Sequence, residues 1–330
     1  MTIRRARLSS LAKINLDLRV LYRREDGFHE LRSIFQTISL GDWIEVEHEP
    51  GRRFSVEVDC EPQIPDNLIA RAARLLHERA RIPGSWRFRV EKRIPLGAGL
   101  GGGSSNAAAV LLALPALAGK IVPLDALIGL GSQLGSDVPF FLLGGAAAGI
   151  GRGTELYPLP DNPRLSGVLV TPGIHVSTPE AYRGLARPPA AELTSDGLSS
   201  ILNSFQSLAW RAEECANSPG WDAKNDFEGA VFRRHPELRR IRDELRTAGA
   251  HPALMSGSGS SIFGIFADRK QRDRVIRKAR ERLGEQQVHQ ITFVSRSGYR
   301  SLWRRQLQQH THPGQDKRNL TWPPQSRYCP

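Results

Sequence analysis

The sequence predicts an α+β protein of two domains, and three observations carry that expectation. The chain has 330 residues, beyond the roughly 100 to 200 residues of a typical single domain. Its first 60 or so residues alternate apolar and polar positions, as in Ala12-Lys13-Ile14-Asn15-Leu16-Asp17-Leu18 and Trp43-Ile44-Glu45-Val46-Glu47, the period of half-buried strands. After that, strands, small-residue loops and helical patterns take turns to about residue 294.

The opening alternation predicts an antiparallel sheet. Behind Asp66-Asn67, a cap-type pair, Leu68, Ala72, Leu75 and Leu76 recur at helical spacing over 68–82. Residues 86–94 read as a strand, 97–103 as a glycine loop, 104–114 and 123–134 as helices. Asp137-Val138-Pro139 starts a third, short helix, and 144–153 a return strand and turn. A second rhythm begins near 155: a strand at 167–170, a break at Pro172-Gly173, helices near 179–185 and 198–210, and a loop-rich stretch at 186–200. Helices follow at 226–233 and 236–248, then a strand at 253–255, a second small-residue loop at 256–260 and the strand 260–267. A basic helix at 269–283 and a strand at 288–294 close the pattern. From Ser295 the periodicity stops, so 299–330 reads as a basic, disordered or peripheral tail, after domains at 1–155 and 156–298.

Composition excludes several classes. The net charge is +12, which alone would raise a nucleic acid or an anionic membrane as partner. Residues 268–330 hold 15 Lys and Arg against 5 Asp and Glu, so +10 of the +12 belongs to the end of the chain and little to its motifs. Cys60, Cys215 and Cys329 are far apart and odd in number, which suits unpaired thiols in a reducing compartment rather than a disulfide framework or zinc site. Residues 94–119 carry no charge for 26 positions, yet the truly apolar part, 107–119, is only 13 residues long and too short to span a membrane. No apolar signal core follows Arg4, Arg5 and Arg7, so the expected location is the cytoplasm.

The chemistry concentrates in Pro95–Asn106, PLGAGLGGGSSN, between a predicted strand and a predicted helix. Glycines let successive backbone N–H groups converge on an anion, and a helix start adds its positive dipole end, so a triphosphate fits here. A packing or hinge glycine run is the plainer alternative. Gly97-x-Gly99-x-x-Gly102 satisfies the dinucleotide pattern, but the run after it stays helical and yields no second strand ending in an acid. There is no GxxxxGK[ST] and no HRD or DFG pair.

Six segments, AKINLDL (12–18), DGFHEL (26–31), PLGAGLGGGSSNAA (95–108), LGSDVPFF (134–141), NDFE (225–228) and SGSGSSIFG (256–264), together resemble the galactose, homoserine, mevalonate and phosphomevalonate (GHMP) kinase superfamily, in its order, from about residue 10 to 298. The resemblance implies a two-domain fold of mixed β-sheets packed against helices, with the active site in the interdomain cleft. It implies ATP as co-substrate, Mg²⁺ as divalent cation and direct in-line phosphoryl transfer to an alcohol. DGFH together with AKIN marks the branch whose substrate is a cytidine diphosphate-linked methylerythritol, phosphorylated on its tertiary 2-hydroxyl in the non-mevalonate isoprenoid route.

Residue by residue, the resemblance places Asp137 at the acceptor hydroxyl, although an N-cap ahead of Val138-Pro139 fits the same residue. Lys13 would hold that carboxylate ionised and offset charge on the transferred phosphoryl group, unless it is an exposed strand lysine. Asn15 shares the strand face of Lys13 and would bond substrate. Pro95, Gly97, Gly99, Gly101, Gly102, Gly103, Ser104 and Ser105 form the implied phosphate-binding set, with Ser105 a candidate Mg²⁺ ligand, and Asn67 and Lys92 stand on the adenosine side. His29 would read the cytosine edge with Phe28 and Tyr182 as stacking aromatics, for which core packing is the alternative. Thr178, Ser256 and Gly257 would close the substrate side, while Asn225 and Asp226 suit a helix cap. No obligatory protein partner, nucleic acid or membrane is implied. Two other readings stay open: a superfamily kinase acting on a non-nucleotide alcohol, and a basic nucleic-acid-binding protein.

Overall fold

The computed structural model describes residues 2–161, 165–185, 187, 223–311 and 322–328. Two long strands, β1 (Arg4–Arg23) and β2 (His29–Glu49), pair antiparallel along their whole lengths. The other edge of β2 is shared: its second half, Trp43–Glu49, pairs with β4 (Gly84–Glu91), and its first half, Leu31–Gln36, pairs with β5 (Ala146–Gly151). β3 (Phe54–Cys60) adds parallel to β4, and β6 (Glu155–Pro158) antiparallel to β5. The expected antiparallel opening is therefore extended by one parallel strand into a mixed sheet.

Helices α1 (Leu68–Ala80), α2 (Gly102–Ala118), α3 (Leu124–Leu134) and α4 (Val138–Leu143) pack with this sheet in one core. α2 is buried from Ser105 to Leu117, as its all-round apolar composition requires. It starts within the glycine run, two residues before the expected Ser104, and continues through Pro115 to Gly119. The second sheet has the order β10-β7-β9-β8, all antiparallel, built from β7 (Ser166–Val170), β8 (Ala253–Met255), β9 (Ile262–Phe266) and β10 (Val288–Thr292). Its helices are α5 (Thr178–Arg183), α6 (Glu228–Arg234), α7 (Pro236–Thr247) and α8 (Arg269–Leu283). A third apolar cluster, including Ile14, Ile38, Leu100, Leu254 and Phe293, joins the two sheets, and the Val294 N–H donates to the Thr37 carbonyl at 2.9 Å.

The end of the chain departs from the sequence expectation. Arg296–Leu307 is a helix, α9, with Tyr299, Trp303 and Leu307 buried in the core of the first sheet. Residues 322–328 return to the same face, where Ser326 Oγ donates to the Ala116 carbonyl at 2.6 Å. Spacing of four between Tyr299, Trp303 and Leu307 is the helical signal; it is masked in the sequence by Arg296, Arg300, Arg304 and Arg305 around it. The expected helix at 198–210, most of the loop at 186–200, Cys215 and Cys329 lie outside the described residues. Among those described, no helix is long and apolar enough to cross a membrane.

Candidate active site

Strand β1 loses register with β2 between Leu11 and Lys13 and again between Asn15 and Asp17. Such irregularities re-aim side chains beside a site. Between them Lys13 and Asn15 stay in step, so their side chains share a face, and Lys13 Nζ donates to Asn15 Oδ1 at 2.7 Å. The Asn15 amide in turn donates to Ser33 Oγ at 2.7 Å, and that hydroxyl donates to the Asp17 carbonyl at 2.8 Å. Lys13 is buried, with its ammonium 3.4 Å from Asp137 Oδ2. A strand lysine held this way is not a solvated side chain.

Asp137 occupies the N-cap position of α4, as its place before Val138-Pro139 suggests, yet its carboxylate makes no capping hydrogen bond. The carboxylate turns instead to Lys13. Behind α4, Phe140 packs on Phe35 with centroids 5.2 Å apart, and Lys13 Nζ lies 5.5 Å above the Phe35 ring.

The first glycine loop docks on the free edge of β1, where the Lys13 N–H donates to the Leu100 carbonyl at 3.0 Å. Two of its glycines are required by geometry. Gly99, at φ +76°, has no room for a Cβ because the Ser256 carbonyl fills that space; Gly101, at φ +70°, caps α2 against the Phe141 ring. The second loop, Ser256–Ser260, locks onto the first: Ser256 Oγ donates to the Gly99 carbonyl at 3.0 Å, and the Ser261 N–H to the Ala98 carbonyl at 3.3 Å. Asn225 braces the second loop from behind, its amide donating to the Met255 and Gly257 carbonyls at 2.7 and 2.8 Å, while its Oδ1 accepts the Phe227 N–H at 3.0 Å. Asn225 thus does serve the start of α6, and ties it to the loop as well.

These parts surround a cleft of about 1010 Å³. Its lining includes Lys13, Asn15, Phe28, His29, Gly97, Gly99, Gly101, Ser104, Asp137, Thr178, Tyr182 and Gly257, all expected from the sequence. The aromatic end is arranged differently from the expectation. His29 stacks directly on Tyr182, centroids 4.7 Å apart and 24° between planes, and Tyr182 meets Phe227 edge-on. Phe28 is 49% exposed, with the Arg152 guanidinium 3.5 Å above its ring. Burial, with help from Arg23 and Arg187, lowers the His29 pKa, so the ring is neutral at pH 7. Burial, then the Asp137 charge, pushes the Tyr182 hydroxyl up to about 12. Thr178 Oγ1 and Ser258 Oγ share a hydrogen bond of 2.8 Å across the rim.

Other expected residues are not brought to the cleft. Ser105 is buried, donating to the Leu11 carbonyl at 2.7 Å and accepting from Ser10 at 2.7 Å. Lys92 forms a buried pair with Asp42, which also takes the Arg93 and Ile94 N–H groups at 2.8 Å each, a clasp between β2 and the chain after β4. Asn67 caps α1 by accepting the Ile69 N–H at 3.0 Å. Pro95, Gly102, Gly103 and Ser256 are not among the residues that line the cleft.

Sequence reasoning missed the cleft's arginines. Arg23, Arg152, Arg183 and Arg187 join Lys13 in the lining, against one acid, Asp137, among the described residues. No motif flags them, because they come from separate segments and converge only in space. Arg187 is also held by Asp226 at 2.6 Å, and Asp226 takes the Val20 N–H at 2.9 Å.

Family models for the N-terminal and C-terminal domains of GHMP kinases match residues 67–145 and 204–285. A 4-diphosphocytidyl-2-C-methyl-D-erythritol kinase of Solibacter usitatus is 54% identical over 329 residues, 100% of this chain and 99% of its own. One from Thermus thermophilus is 45% identical over 77% of this chain and 85% of its own. A solved 4-(cytidine 5'-diphospho)-2C-methyl-D-erythritol kinase superimposes with TM-score 0.68 at 39% identity, over 87% of this chain and 98% of that one. A homoserine kinase from Cytophaga hutchinsonii, at 17% identity and TM-score 0.67, shares the fold over 89% of this chain and 96% of its own.

Proposed function

The chain belongs to the 4-diphosphocytidyl-2-C-methyl-D-erythritol kinases of the GHMP superfamily, and from that premise we infer how its own residues transfer the γ-phosphoryl group of ATP to the 2-hydroxyl of that substrate. The observation that carries the reading is the pair of buried Lys13 and half-buried Asp137, 3.4 Å apart in a cleft floored by a glycine loop at a helix start.

The N-terminus of α2, with the left-handed glycines before it, supplies converging N–H groups and a positive dipole end for the triphosphate. The acceptor hydroxyl lies at Asp137, in line with the γ-phosphorus. The acceptor oxygen bonds to that phosphorus as the bond to the β–γ bridging oxygen breaks, and ADP leaves. A carboxylate is a weak base toward an alcohol, so the hydroxyl proton passes to Asp137 late in a loose transition state, when the oxygen has become acidic. Lys13 keeps the carboxylate charged and faces the negative charge spread over the moving phosphoryl group.

Neutral His29 has a donor and an acceptor for the cytosine edge, Tyr182 beneath it extends an aromatic platform, and exposed Phe28 is the second stacking face. The cations Arg23, Arg152 and Arg187 suit the substrate's diphosphate. Among the described residues no three His, Cys, Asp or Glu side chains form a metal cage. Mg²⁺ does not require one, since it keeps several waters and takes few protein ligands beside phosphate oxygens. Ser104 and Asp137 face the cleft and would hold it, and when bound it neutralises charge between the phosphates. In an ATP-consumption assay with the cytidyl substrate, Asp137→Asn is expected to lower kcat by about 10²-fold or more. Equal turnover by variant and wild type would remove Asp137 from the mechanism.

A further inference from the structure

The carbonyls at the far end of α4 are left over by helix geometry, since the last turn has no N–H groups ahead of it. Gly144 N–H takes the Phe140 carbonyl at 2.9 Å. The next two are met from the end of the chain: Tyr299 Oη donates to the Phe141 carbonyl at 2.6 Å, and Trp322 Nε1 to the Leu142 carbonyl at 2.8 Å. The Tyr299 ring lies against Gly144 with no space for a Cβ, and its centroid is 6.4 Å from that of Trp322. The same segment holds the far end of α2, where Ser326 donates to the Ala116 carbonyl and Tyr328 packs on Gly119.

The two helices gripped at their far ends are the two whose near ends build the site. α2 begins at the glycine loop and α4 begins at Asp137. α4 also touches the rest of the machinery directly, Phe141 against Gly101 and Phe140 against Phe35 below Lys13. A slip of this six-residue helix therefore moves the carboxylate, the cap of the phosphate loop and the platform under Lys13 together.

We propose that Tyr299 and Trp322 are positioning residues for phosphoryl transfer, which fix α4 from behind and so set Asp137 relative to Lys13 and the phosphate loop. The inference rests on Asp137 being the group at the acceptor hydroxyl. Misplacement of a reacting group by about 1 Å costs up to about 10²-fold in rate while binding contacts persist. The pair Tyr299→Phe and Trp322→Phe removes both donors and keeps an aromatic ring at each position, with the Tyr299 ring unchanged in size.

The test is steady-state kinetics on the full chain, well below the melting temperature, for the double variant, for Asp137→Asn and for all three changes combined. The expected result is a fall of about 10-fold in kcat for the double variant with KM for ATP and for the cytidyl substrate within about twofold. The double change is expected to cost clearly less in the Asp137→Asn background than in the wild type, because most of its effect passes through Asp137 and residues acting through one group are not additive. An unchanged kcat in the double variant, a loss confined to KM, or an equal further loss in the Asp137→Asn background each overturns the inference. If Asp137→Asn alone leaves kcat intact, the assignment of Asp137 falls and the inference falls with it. A loss in Asp137→Asn beside a fully active double variant overturns the inference alone.

Discussion

Lys13 is buried in a strand edge, and a buried ammonium is costly without partners. It has three: Asn15, Asp137 and the face of Phe35. Replacing it by Met keeps the stem and removes the charge, so kcat is expected to fall by about 10² to 10³-fold, the cost of deleting one transition-state electrostatic partner; single-turnover rates at saturating ATP check this. His29 gives a pH prediction with a definite sign. Its pKa lies below the ordinary histidine value through burial and two nearby arginines, so the ring is neutral at pH 7 and loses its acceptor nitrogen on protonation. KM for the cytidyl substrate is expected to rise as pH falls below 6.5, whereas His29→Ala has a raised KM without that rise. Strand alternation and the Asp-x-Pro start placed Lys13, Asn15 and Asp137 on their elements, and the motif resemblance, not local pattern, implied their roles in a site. The surroundings of Ser105 and Lys92 were not legible in the sequence, because whether a hydroxyl or an ammonium faces a cleft or an internal acceptor depends on chain segments 94 and 50 positions away.

At the scale of elements, two small-residue loops from distant parts of the chain fold against one another, and each needs the other's backbone. Asn225 holds the second with both amide hydrogens. Asn225→Ala leaves two buried carbonyls without a donor, each costing roughly 1 to 3 kcal/mol. The variant is expected to melt earlier and to have a raised KM for the cytidyl substrate, since Gly257 and Ser258 line its side of the cleft; calorimetry and initial rates read the two effects. His48 on β2 stacks on Trp86 of β4, centroids 3.8 Å apart, and burial pushes its pKa down to about 4. In the unfolded chain the same group titrates near 6.5. The unfolded state therefore takes up the proton first, and stability from this group is lost as pH falls from 6.5 toward 4. His48→Phe, which keeps a stacked ring, is expected to flatten that part of a melting-temperature profile.

At the scale of the molecule, the end of the chain belongs to the core at its beginning. α9 and residues 322–328 cover the start of the β1 edge, where His310 Nε2 meets the Arg5 carbonyl at 2.8 Å and the Arg4 guanidinium lies 3.7 Å above the Tyr328 ring. Further along, the Lys13 N–H bonds the glycine loop and Leu18 exchanges bonds with Lys224 and Asp226, so among the described residues the edge is capped at these points. Trp303→Ala removes a fully buried indole and is expected to cost about 3 to 5 kcal/mol, seen as a melting temperature lower by roughly 10 °C.

The sequence by itself determined the fold class and the two glycine loops, because these are written in short-range patterns: alternation of two, helical spacing, glycine where the backbone turns left-handed; the family, and with it the expectation that Lys13 stands beside Asp137, came from the resemblance of six motifs in order. Tertiary structure alone decided which hydroxyls and ammoniums face the cleft, how His29 and Tyr182 stack, which arginines converge, and that the last basic segment is a helix packed in the core. Those are contacts between residues far apart in the chain. Partner and direction there are set by packing and by the need to satisfy buried polar groups, which no local pattern encodes.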